Sequence, residues 1–381
     1  MSDWLSAEEA MSRLRLKPQT LYAYVSRGLV EAKQDDEDSR RSLYRAADVA
    51  RLAHRKSRGR RSAAIAEEAI AWGEPVLASA IATIARGKLW YRGEDAEALA
   101  NTARLEDVAR LLWVCGDARF PPQSNPILEG PPRSRMFAAL AARAAADPPT
   151  AGRAPAALFF EAAAVLDALA DAICGGPGAG PIHQRIALAW GCSAAGADVI
   201  RRSLVLLADH ELNASTFAAR VTASTGASLA AAALAGLSAL SGPLHGGMAA
   251  RVAGLAAEAR REGAEAAVRA RLAAGSPIPG FAHPLYPDGD PRARALLAAF
   301  DPPADYAAIR AAALAIAGVR PNVDFALCAA AAGLGLPDDA PFQIFALARS
   351  AGWIAHALEQ VAAGRLIRPR ARYVGPPPPA A

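Results

Sequence analysis

The segment PGFAHPLYPDGDPRA, residues 279–293, interrupts a chain of 381 residues that is elsewhere rich in Ala, Leu and Arg. Proline and glycine end helices, so we expect this segment to be a loop between two helices. The loop contains His283 and Arg292. A histidine that only fills space would more often sit within an apolar helix. The segment therefore predicts helices joined by loops that carry candidate functional side chains.

The body of the chain, from about residue 62, has apolar residues at helical spacing, for example in Glu67–Trp72, Leu105–Val114 and Met136–Ala146. The alternating β-branched pattern of strands is nearly absent, so we predict an all-α fold for the body. Further clusters of Pro and Gly predict interhelical loops at residues 120–132, 147–155 and 175–181.

The stretch GGPGAG at residues 175–180 looks like a phosphate-binding loop only superficially. A P-loop needs a Lys after the glycines, and a dinucleotide-binding loop needs a strand before them. The sequence has neither, so we interpret the stretch as a connection between helices.

Length and composition limit the class of protein. At about 150 residues per domain the chain predicts two or three domains, and 53% hydrophobic against 21% charged residues excludes disorder for most of it. The start MSDWLSAEEA lacks a signal pattern, and the longest apolar stretch, Ser228–Leu240, is too short for a bilayer. We expect a cytoplasmic protein with no membrane span. No CxxC pair supports a disulfide framework or a metal site among four scattered cysteines, Cys115, Cys174, Cys192 and Cys328.

The excess of positive charge is confined to the beginning of the chain. Of 42 Lys and Arg and 37 Asp and Glu, residues 1–61 hold 14 and 9, so the remainder carries 28 of each. A neutral body with a basic head suggests that the head alone meets a polyanion.

The head has the pattern of short helices separated by a turn. Ser6 and Glu9 have capping-box spacing before a helix that ends near Leu14, and Pro18 opens a second helix, Gln19–Arg27. Residues 35–41 look like a hairpin tip, and a further helix is predicted over residues 47–54. The side chains that we expect to reach DNA are those of Gln19, Thr20, Tyr22, Tyr24, Arg27, Arg40 and Arg41.

The stretches LYAYVSRGLVEAK and RSLYRAADVARL, at residues 21–33 and 41–52, resemble the winged helix-turn-helix of MerR-type regulators. The resemblance implies that residues 1–61 form a DNA-binding domain with a basic linker and double-stranded DNA as a partner. A small helical accessory module that binds no nucleic acid remains the alternative. The basic run at residues 51–61 could hold phosphates or be a solvated linker. The long coiled coil of those regulators is missing, so any two-fold symmetry would come from the body.

Polar loops in the body hold the candidate acid–base residues. Besides His283, His210 lies in ADHELN, His245 in GPLHGG, and Asp324 in RPNVDF, where Pro321 interrupts a helix. Such distant residues can meet only through the fold, and together they indicate a helical enzyme that uses acid–base chemistry. We interpret three other histidines as surface or packing residues, namely His54, His183 and His356.

Six ordered motifs resemble those of citrate synthases, over about residues 75–375: DHELNASTFAAR, SGPLHGG, PGFAHPLYPDGDPRA, RPNVDF, ARSAGWIAH and RLIRPRARYVG. RGKLWYRGEDAEALA, at residues 86–100, resembles the opening of that fold. The resemblance implies a two-domain helical homodimer that condenses an acyl-CoA thioester with oxaloacetate and binds no cofactor tightly. It implies a large domain at 62–246 and 336–375, a small domain at 247–335, and a proline-rich tail at 376–381.

The same resemblance assigns roles to the candidate residues. Deprotonating a thioester methyl group needs a carboxylate base together with a donor to the enolate oxygen. Asp324 would be the base, His245 the donor as a neutral imidazole at a helix start, and His283 the group that polarises the ketone of oxaloacetate. The two carboxylates of oxaloacetate would be bound by His210, Arg292, Arg349 and Arg368, with Arg368 reaching into the partner subunit's site.

Four positions depart from the family pattern. Pro284 and Pro287 replace basic residues that would contact coenzyme A phosphates, Leu207 replaces a His, and Ala282 replaces a Gly. Two readings of the chain therefore stay open. One is an active citrate synthase-type enzyme, acting on acetyl-CoA or another short acyl-CoA, with an attached module. The other is a transcription regulator whose body senses a metabolite and forms the dimer.

Overall fold

The computed structural model describes residues 4–14, 20–21, 25, 30–35, 38, 42–50, 77–116, 119–123, 125–371 and 373–376. The chain divides into two compact units, Met1–Ala78 and Ser79–Ala381, which we describe separately as the head unit and the body. In the described part of the chain, no helix is long and apolar enough to cross a membrane.

The head unit contains a small antiparallel sheet of β1 (Trp4–Leu5), β2 (Ala32–Gln34) and β3 (Ser42–Arg45), in the order β1-β3-β2. Strands β2 and β3 pair directly, with Ala32 opposite Tyr44 and Gln34 opposite Ser42. The two strands on either side of residues 35–41 are thus paired as the predicted hairpin requires.

Helix α1 (Ala7–Leu14) begins at the predicted capping box. The Glu9 backbone N–H donates to Ser6 Oγ at 3.3 Å, and the Ser6 N–H donates to Glu9 Oε2 at 2.8 Å. Ala10 and Leu14 are buried on one face of the helix, as its spacing predicted. They belong to a separate apolar cluster of the head unit, which consists of Leu5, Ala10, Leu14, Leu21, Val30, Tyr44 and Val49.

Most of the residues expected to contact DNA lie outside the described residues: Gln19, Tyr22, Tyr24, Arg27, Arg40 and Arg41. Thr20 is described, and it is helical and exposed. Residues 46–50 are helical at the start of the third helix predicted for the head, and the basic run at residues 51–61 is again outside the described part. The winged helix-turn-helix stays a prediction.

The body opens with an antiparallel sheet that the sequence analysis missed: β4 (Ala82–Ala85), β5 (Lys88–Tyr91) and β6 (Glu94–Asp95). The fold is therefore mostly helical rather than all-α. Strands of two to four residues are too short to show alternation. The signal lay in the turns: Arg86–Gly87 and Arg92–Gly93 all have positive φ, from 47° to 88°, as tight hairpins require.

Fourteen helices of the body follow in the described residues. They are α2 (Ala96–Thr102), α3 (Leu105–Trp113), α4 (Pro132–Ala146), α5 (Pro155–Cys174), α6 (Ile182–Ala189), α7 (Ala194–Leu207), α8 (Ala214–Ser224), α9 (Leu229–Leu240), α10 (Met248–Glu262), α11 (Ala264–Ala273), α12 (Pro291–Leu297), α13 (Ala304–Ala317), α14 (Val323–Gly333) and α15 (Ala340–Ala363). The proline- and glycine-rich clusters lie between these helices as predicted, and GGPGAG connects α5 to α6.

Helix α15 lies at the centre of the body, where it packs against α3, α7, α8 and α9. It is buried along most of its length, begins with Pro341 in its first turn and ends before Gly364 in the left-handed conformation. Its contact with α9 is so close that a Cβ on Gly236 would lie 2.6 Å from the ring of Trp353. This fixed helix carries Arg349 and Trp353 toward the loops that hold the candidate residues.

Candidate functional site

His210 lies in the turn between α7 and α8, and Asn213 shapes that turn. The Asn213 Oδ1 atom accepts from the backbone N–H groups of Ser215 and Thr216, each at 3.1 Å, and so caps α8. His210 is buried, and its Nε2 atom lies 3.0 Å from the hydroxyl of Tyr286. The turn therefore presents an imidazole that contacts the loop of residues 279–290.

His245 lies in the turn between α9 and α10, three residues before the first residue of α10. The turn is tight, because a Cβ on Gly246 would collide with the carbonyl oxygen of Leu240. The Nε2 atom of His245 lies 2.9 Å from Ser215 Oγ, and Trp353 Nε1 donates to the same oxygen at 3.1 Å. The imidazole is therefore fixed from two helices, α8 and α15.

His283 follows Ala282, a non-glycine residue with φ of +58°. Side chains rarely adopt this conformation, so the Gly that the resemblance implies here would fit it with less strain than Ala282. The strained residue is held at both ends: its N–H donates to Arg320 O at 2.9 Å, and its carbonyl accepts from Asn322 Nδ2 at 3.1 Å. The loop of His283 is thus tied to the segment that precedes α14.

Asp324 and Arg292 each occupy the second position of a helix. The Asn322 Oδ1 atom caps α14 by accepting from Asp324 N at 3.1 Å, after the break that Pro321 predicted. Asp290 caps α12 by accepting from Arg292 N at 3.0 Å. Both caps lie next to the His283 loop, so the sequence breaks at these helix starts bring the two side chains to the same region.

One group of candidate residues meets around Tyr286. The rings of His210 and His283 contact edge to face, with centroids 5.2 Å apart, and His283 lies 5.0 Å from Tyr286. The guanidinium of Arg292 lies over the Tyr286 ring at 5.3 Å. Residues separated by more than 70 positions along the chain are therefore in contact.

A second group lines one small cavity. His245 and Asp324 are its polar side chains, and the other walls are formed by Leu240, Gly246, Ala249, Leu327, Pro341, Phe342 and Phe345. The base and donor that the sequence predicted thus face a common, otherwise apolar space. A group bound there would be shielded from water while it contacts a carboxylate and an imidazole.

The positive charge of Arg349 acts on both groups, since it lowers the pKa of His210 in the first and of His245 in the second. Its side chain is buried, Nε donates to Leu207 O at 2.9 Å, and its guanidinium lies 4.7 Å from the ring of Phe345 in the cavity wall. Its Nη2 atom is buried with no hydrogen-bond partner among the residues that the structure describes. A buried guanidinium with an unused donor is costly without an anion, so this nitrogen is a candidate ligand contact.

Arg368 is not brought to either group; it lies exposed in the segment after α15. The packing interpretation holds for His183 and His356, which are buried, while His54 lies outside the described residues. His356 Nδ1 lies 3.0 Å from Arg220 Nη1 in a hydrogen-bonded core network.

The three candidate imidazoles are neutral at pH 7. Burial, assisted by Arg349, lowers the pKa of His245 to about 4, and burial, assisted by Arg292, lowers that of His283 to about 4. Burial and the two arginines also hold the pKa of His210 well below its ordinary value. Desolvation, rather than the start of α10, is thus the main cause of the neutral state of His245.

The pKa of Asp324 is shifted upward, whereas the pKa values of the imidazoles are shifted downward. Burial, which Arg292 and Arg349 oppose and Asp290 assists, raises its pKa to about 6. The carboxyl is therefore ionised at pH 7 but basic for an aspartate. A carboxylate of this kind can accept a proton from a weak carbon acid better than an ordinary surface aspartate can.

The sequence analysis missed three residues that organise these groups, namely Ser215, Tyr286 and Asp290. Each lies inside a quoted motif, but its role depends on contacts across the fold. The only available signal was position: Ser215 follows the Asn213 cap, and Asp290 precedes a Pro at a helix start, where caps occur.

Comparisons with known proteins identify the family of the chain. The family model "Citrate synthase, C-terminal domain" matches residues 134–370. "Putative citrate synthase 2" of Mycobacterium tuberculosis (strain CDC 1551 / Oshkosh) is 42% identical over 187 residues, 46% of this chain and 50% of that protein. "Citrate synthase 2" of Bacillus subtilis is 40% identical over 190 residues, 47% and 51% of the two chains. The chain spans about half the length of the curated relatives it matches.

The likeness extends to three dimensions. The crystal structure of citrate synthase from Pyrobaculum aerophilum superposes with a TM-score of 0.65 at 27% identity, covering 80% of this chain and 91% of that one. The matched residues 134–370 include every candidate side chain of the body. A match over more than half of the sequence, with the fold in agreement, leads to one conclusion: the chain belongs to the citrate synthase family.

Proposed function

We propose that this protein is a citrate synthase-type acyltransferase that condenses acetyl-CoA or another short acyl-CoA with oxaloacetate. The observation that carries the proposal is the shared cavity of Asp324 and His245, together with the Nη2 atom of Arg349, which has no partner among the described residues. A proton acceptor, a neutral donor and an anion receptor are the three groups that this condensation needs.

In the first step, Asp324 removes a proton from the carbon next to the thioester carbonyl. The negative charge moves to the thioester oxygen, and His245 stabilises it by donating a hydrogen bond. Because the pKa of His245 is lowered to about 4 by burial, the donor is an imidazole rather than an imidazolium. An uncharged donor avoids placing a second unbalanced cation in the apolar cavity.

Ser215 supports this assignment by its position. Trp353 Nε1 can only donate, so it occupies a lone pair of Ser215 Oγ. The Ser215 hydroxyl donates to Asn213 Oδ1 at 2.7 Å, and its oxygen also lies 2.9 Å from Nε2 of His245. Ser215 thereby fixes the orientation of the His245 ring in the cavity that it shares with Asp324.

In the second step, the enolate carbon attacks the ketone carbon of oxaloacetate and a carbon–carbon bond forms. His283 polarises the ketone and supplies a proton to the new alkoxide, while Arg292, Arg349 and His210 bind the carboxylates. Water then cleaves the thioester and releases the coenzyme A thiol. Coenzyme A takes part as a substrate, and the mechanism uses no tightly bound cofactor.

The assembly is part of the proposal. We assign residues 62–246 and 336–375 to a large domain and residues 247–335 to a small domain, so that the site takes His210, His245 and Arg349 from the former and His283, Arg292 and Asp324 from the latter. The exposed position of Arg368 suits a role in the partner subunit's site of a homodimer.

The test is release of free thiol from acetyl-CoA and propionyl-CoA with oxaloacetate present. We expect turnover with at least one thioester, and a loss of ~10²-fold or more in Asp324→Asn, the range for removal of a catalytic base. Asp288→Asn, an exposed carboxylate in the His283 loop, is the control and should keep its activity. Wild-type rates equal to those of Asp324→Asn for every acyl chain would contradict the proposal.

A second candidate function is a metabolite-sensing transcription regulator. It is favoured by the confinement of the net charge of +5 to residues 1–61 and by the separate apolar cluster of the head unit. The full chain should then retard DNA from upstream of its own gene, with log K falling by ~0.9 per neutralised phosphate as log[salt] rises. No retardation at low salt, where a control repressor binds, would remove this candidate.

A further inference from the structure

We propose that Asp290 is a positioning residue whose single carboxylate holds both Arg292 and the first turn of the helix that carries Asp324. The inference rests on the proposed function and extends it, because it names the group that fixes the distance between the anion receptor and the base.

The contacts of Asp290 support this role. Its Oδ1 atom accepts from Arg292 N at 3.0 Å and from Arg292 Nε at 2.9 Å. Its Oδ2 atom accepts from Arg292 Nη2 at 2.7 Å and from Val323 N at 3.0 Å. The side chain is fully buried. Four hydrogen bonds on one carboxylate thus connect the start of α12, a guanidinium and the start of α14.

The bonds of the Asp290 Oδ2 atom show that this carboxylate does more than cap a helix. Capping α12 needs only one oxygen, and Asn322 already caps α14. The bond to Val323 therefore adds a connection between two helices, at the residue directly before Asp324. A purely local helix cap would not reach across the 33 positions that separate Asp290 from Val323.

Asp290 also determines which face of Arg292 is available. With Nε and Nη2 bound to the carboxylate, Nη1 is the guanidinium nitrogen that Asp290 does not occupy. The guanidinium plane is fixed over the Tyr286 ring at 5.3 Å. An arginine oriented in this way loses little freedom when a carboxylate binds, which favours tight binding of a dianion.

Asp290 changes the charge that Asp324 experiences. Its negative charge raises the pKa of Asp324 and opposes the effect of Arg292. Burial raises the pKa of Asp290 itself, but Arg292 more than compensates, so Asp290 stays ionised. The groups that face Asp324 from the surrounding elements are Asp290, Arg292, Arg349, His245 and, on its own helix, Cys328.

The main test is the pH profile of thiol release by Asp290→Asn. Removing the negative charge leaves Arg292 unopposed, so the pKa of Asp324 should fall. We expect the acid limb of kcat to move down by about one pH unit and kcat at pH 7 to fall by ~10-fold or more. Asp288→Asn, two residues away and exposed, should retain the wild-type limb and kcat. An unchanged limb in folded Asp290→Asn would overturn the proposal.

A second variant keeps the test decisive if Asp290→Asn does not fold. Asp290→Glu retains the charge but displaces the contacts, so the acid limb should stay near pH 6 while kcat/KM falls by ~10-fold or more. Wild-type kcat/KM in Asp290→Glu would overturn the proposal.

Calorimetric measurement of oxaloacetate binding distinguishes a failure of the positioning role of Asp290 from a failure of the proposed function. If the wild type binds oxaloacetate but releases no thiol, the proposed function fails. The positioning role is then judged by affinity alone. Asp290→Glu should bind oxaloacetate ~10-fold or more weakly than the wild type and Asp288→Asn equally well. Equal affinity in Asp290→Glu would count against the positioning role.

Discussion

Arg185 and Arg349 are both buried on helices of the body, yet their surroundings differ. Both terminal nitrogens of Arg185 are paired: Nη1 contacts Asp167 at 2.6 Å and Nη2 contacts Asp171. Asn125 Nδ2 adds a bond to Asp171 at 2.7 Å. The Arg185 cluster, defined as Arg185, Asp167 and Asp171, satisfies its charges internally.

The region around Arg349 is organised in the opposite way. Its Nη2 atom has no partner among the described residues, and the nearby imidazoles are neutral. Buried charge that is left unsatisfied costs stability, so it persists where something else requires it. An unpaired nitrogen alone does not mark a functional site, because Arg185 Nε is also buried without a partner among the described residues. The two arginines differ in their counter-charges: two carboxylates form ion pairs with Arg185, whereas Arg349 forms no ion pair within the described part of the chain.

The largest expected effect is on stability, in Arg185→Gln. This change leaves Asp167 and Asp171 facing each other without a cation, and we expect the free energy of unfolding to fall by about 3–5 kcal/mol. Thiol release per folded molecule should not change. The measurement is chemical denaturation, with the exposed Arg310→Gln on α13 as control. A free energy of unfolding equal to that of Arg310→Gln would show that the Arg185 cluster does not stabilise the fold.

Arg349→Gln should reduce activity more than stability, in contrast to Arg185→Gln. Removing the guanidinium eliminates a receptor for a carboxylate, so kcat/KM for oxaloacetate should fall by about 10²–10³-fold. Stability should fall by less than in Arg185→Gln, because Arg349 donates one hydrogen bond, to Leu207 O, and loses no ion pair. Steady-state kinetics and denaturation measure the two quantities. A loss of stability like that of Arg185→Gln would contradict the distinction between the regions.

Lowering the pH should reduce the free energy of unfolding, because imidazoles that are neutral in the folded protein take up protons when the chain unfolds. The pKa of His245 and His283 is lowered to about 4, so the unfolded chain binds protons first and stability falls between pH 6.5 and 4. Asp324, with its pKa raised to about 6, opposes this below pH 6, because the folded protein takes up that proton first.

The variant Asp324→Asn removes the opposing contribution. Between pH 7 and 5 its melting temperature should therefore fall by a few degrees more than that of the wild type. Asp288→Asn should follow the wild type. Identical slopes for Asp324→Asn and wild type would indicate that Asp324 does not titrate as described.

The smallest effects should come from substituting two glycines, Gly246 in the turn of His245 and Gly254 in the following helix α10. Gly246→Ala collides with the carbonyl of Leu240 and should displace His245, lowering kcat by ~10-fold. Gly254→Ala, in open space within α10, should raise stability by about 0.5–1 kcal/mol without changing kcat. Kinetics and melting curves distinguish them. Equal kcat values for the two variants would show that the His245 turn tolerates movement.

Helices and their boundaries could be predicted where proline, glycine and caps punctuate the sequence, as at Pro155, Gly175 and Asn322. The sheet at residues 82–95 could not be recognised from alternation, because its strands are too short. Its two Arg-Gly turns were a usable signal.

The candidate site could be predicted only as a set of residues. His245, His283 and Asp324 were identified by loop position and motif resemblance. The contacts of Ser215 and Asp290 depend on distances between distant helices, which no local pattern encodes. The orientation of Arg349, with one nitrogen bound and another unused, likewise follows only from the packing of α15.

The packing of α15 beside His210 also limits how the site can open. Gly352 N donates to Ala208 O at 3.0 Å, and any side chain at Gly352 would collide with Asp209. The turn that bears His210 and the helix that bears Arg349 are therefore locked together as one rigid wall. Any widening of the site would therefore have to come from the opposite side, which carries His283 and Asp324.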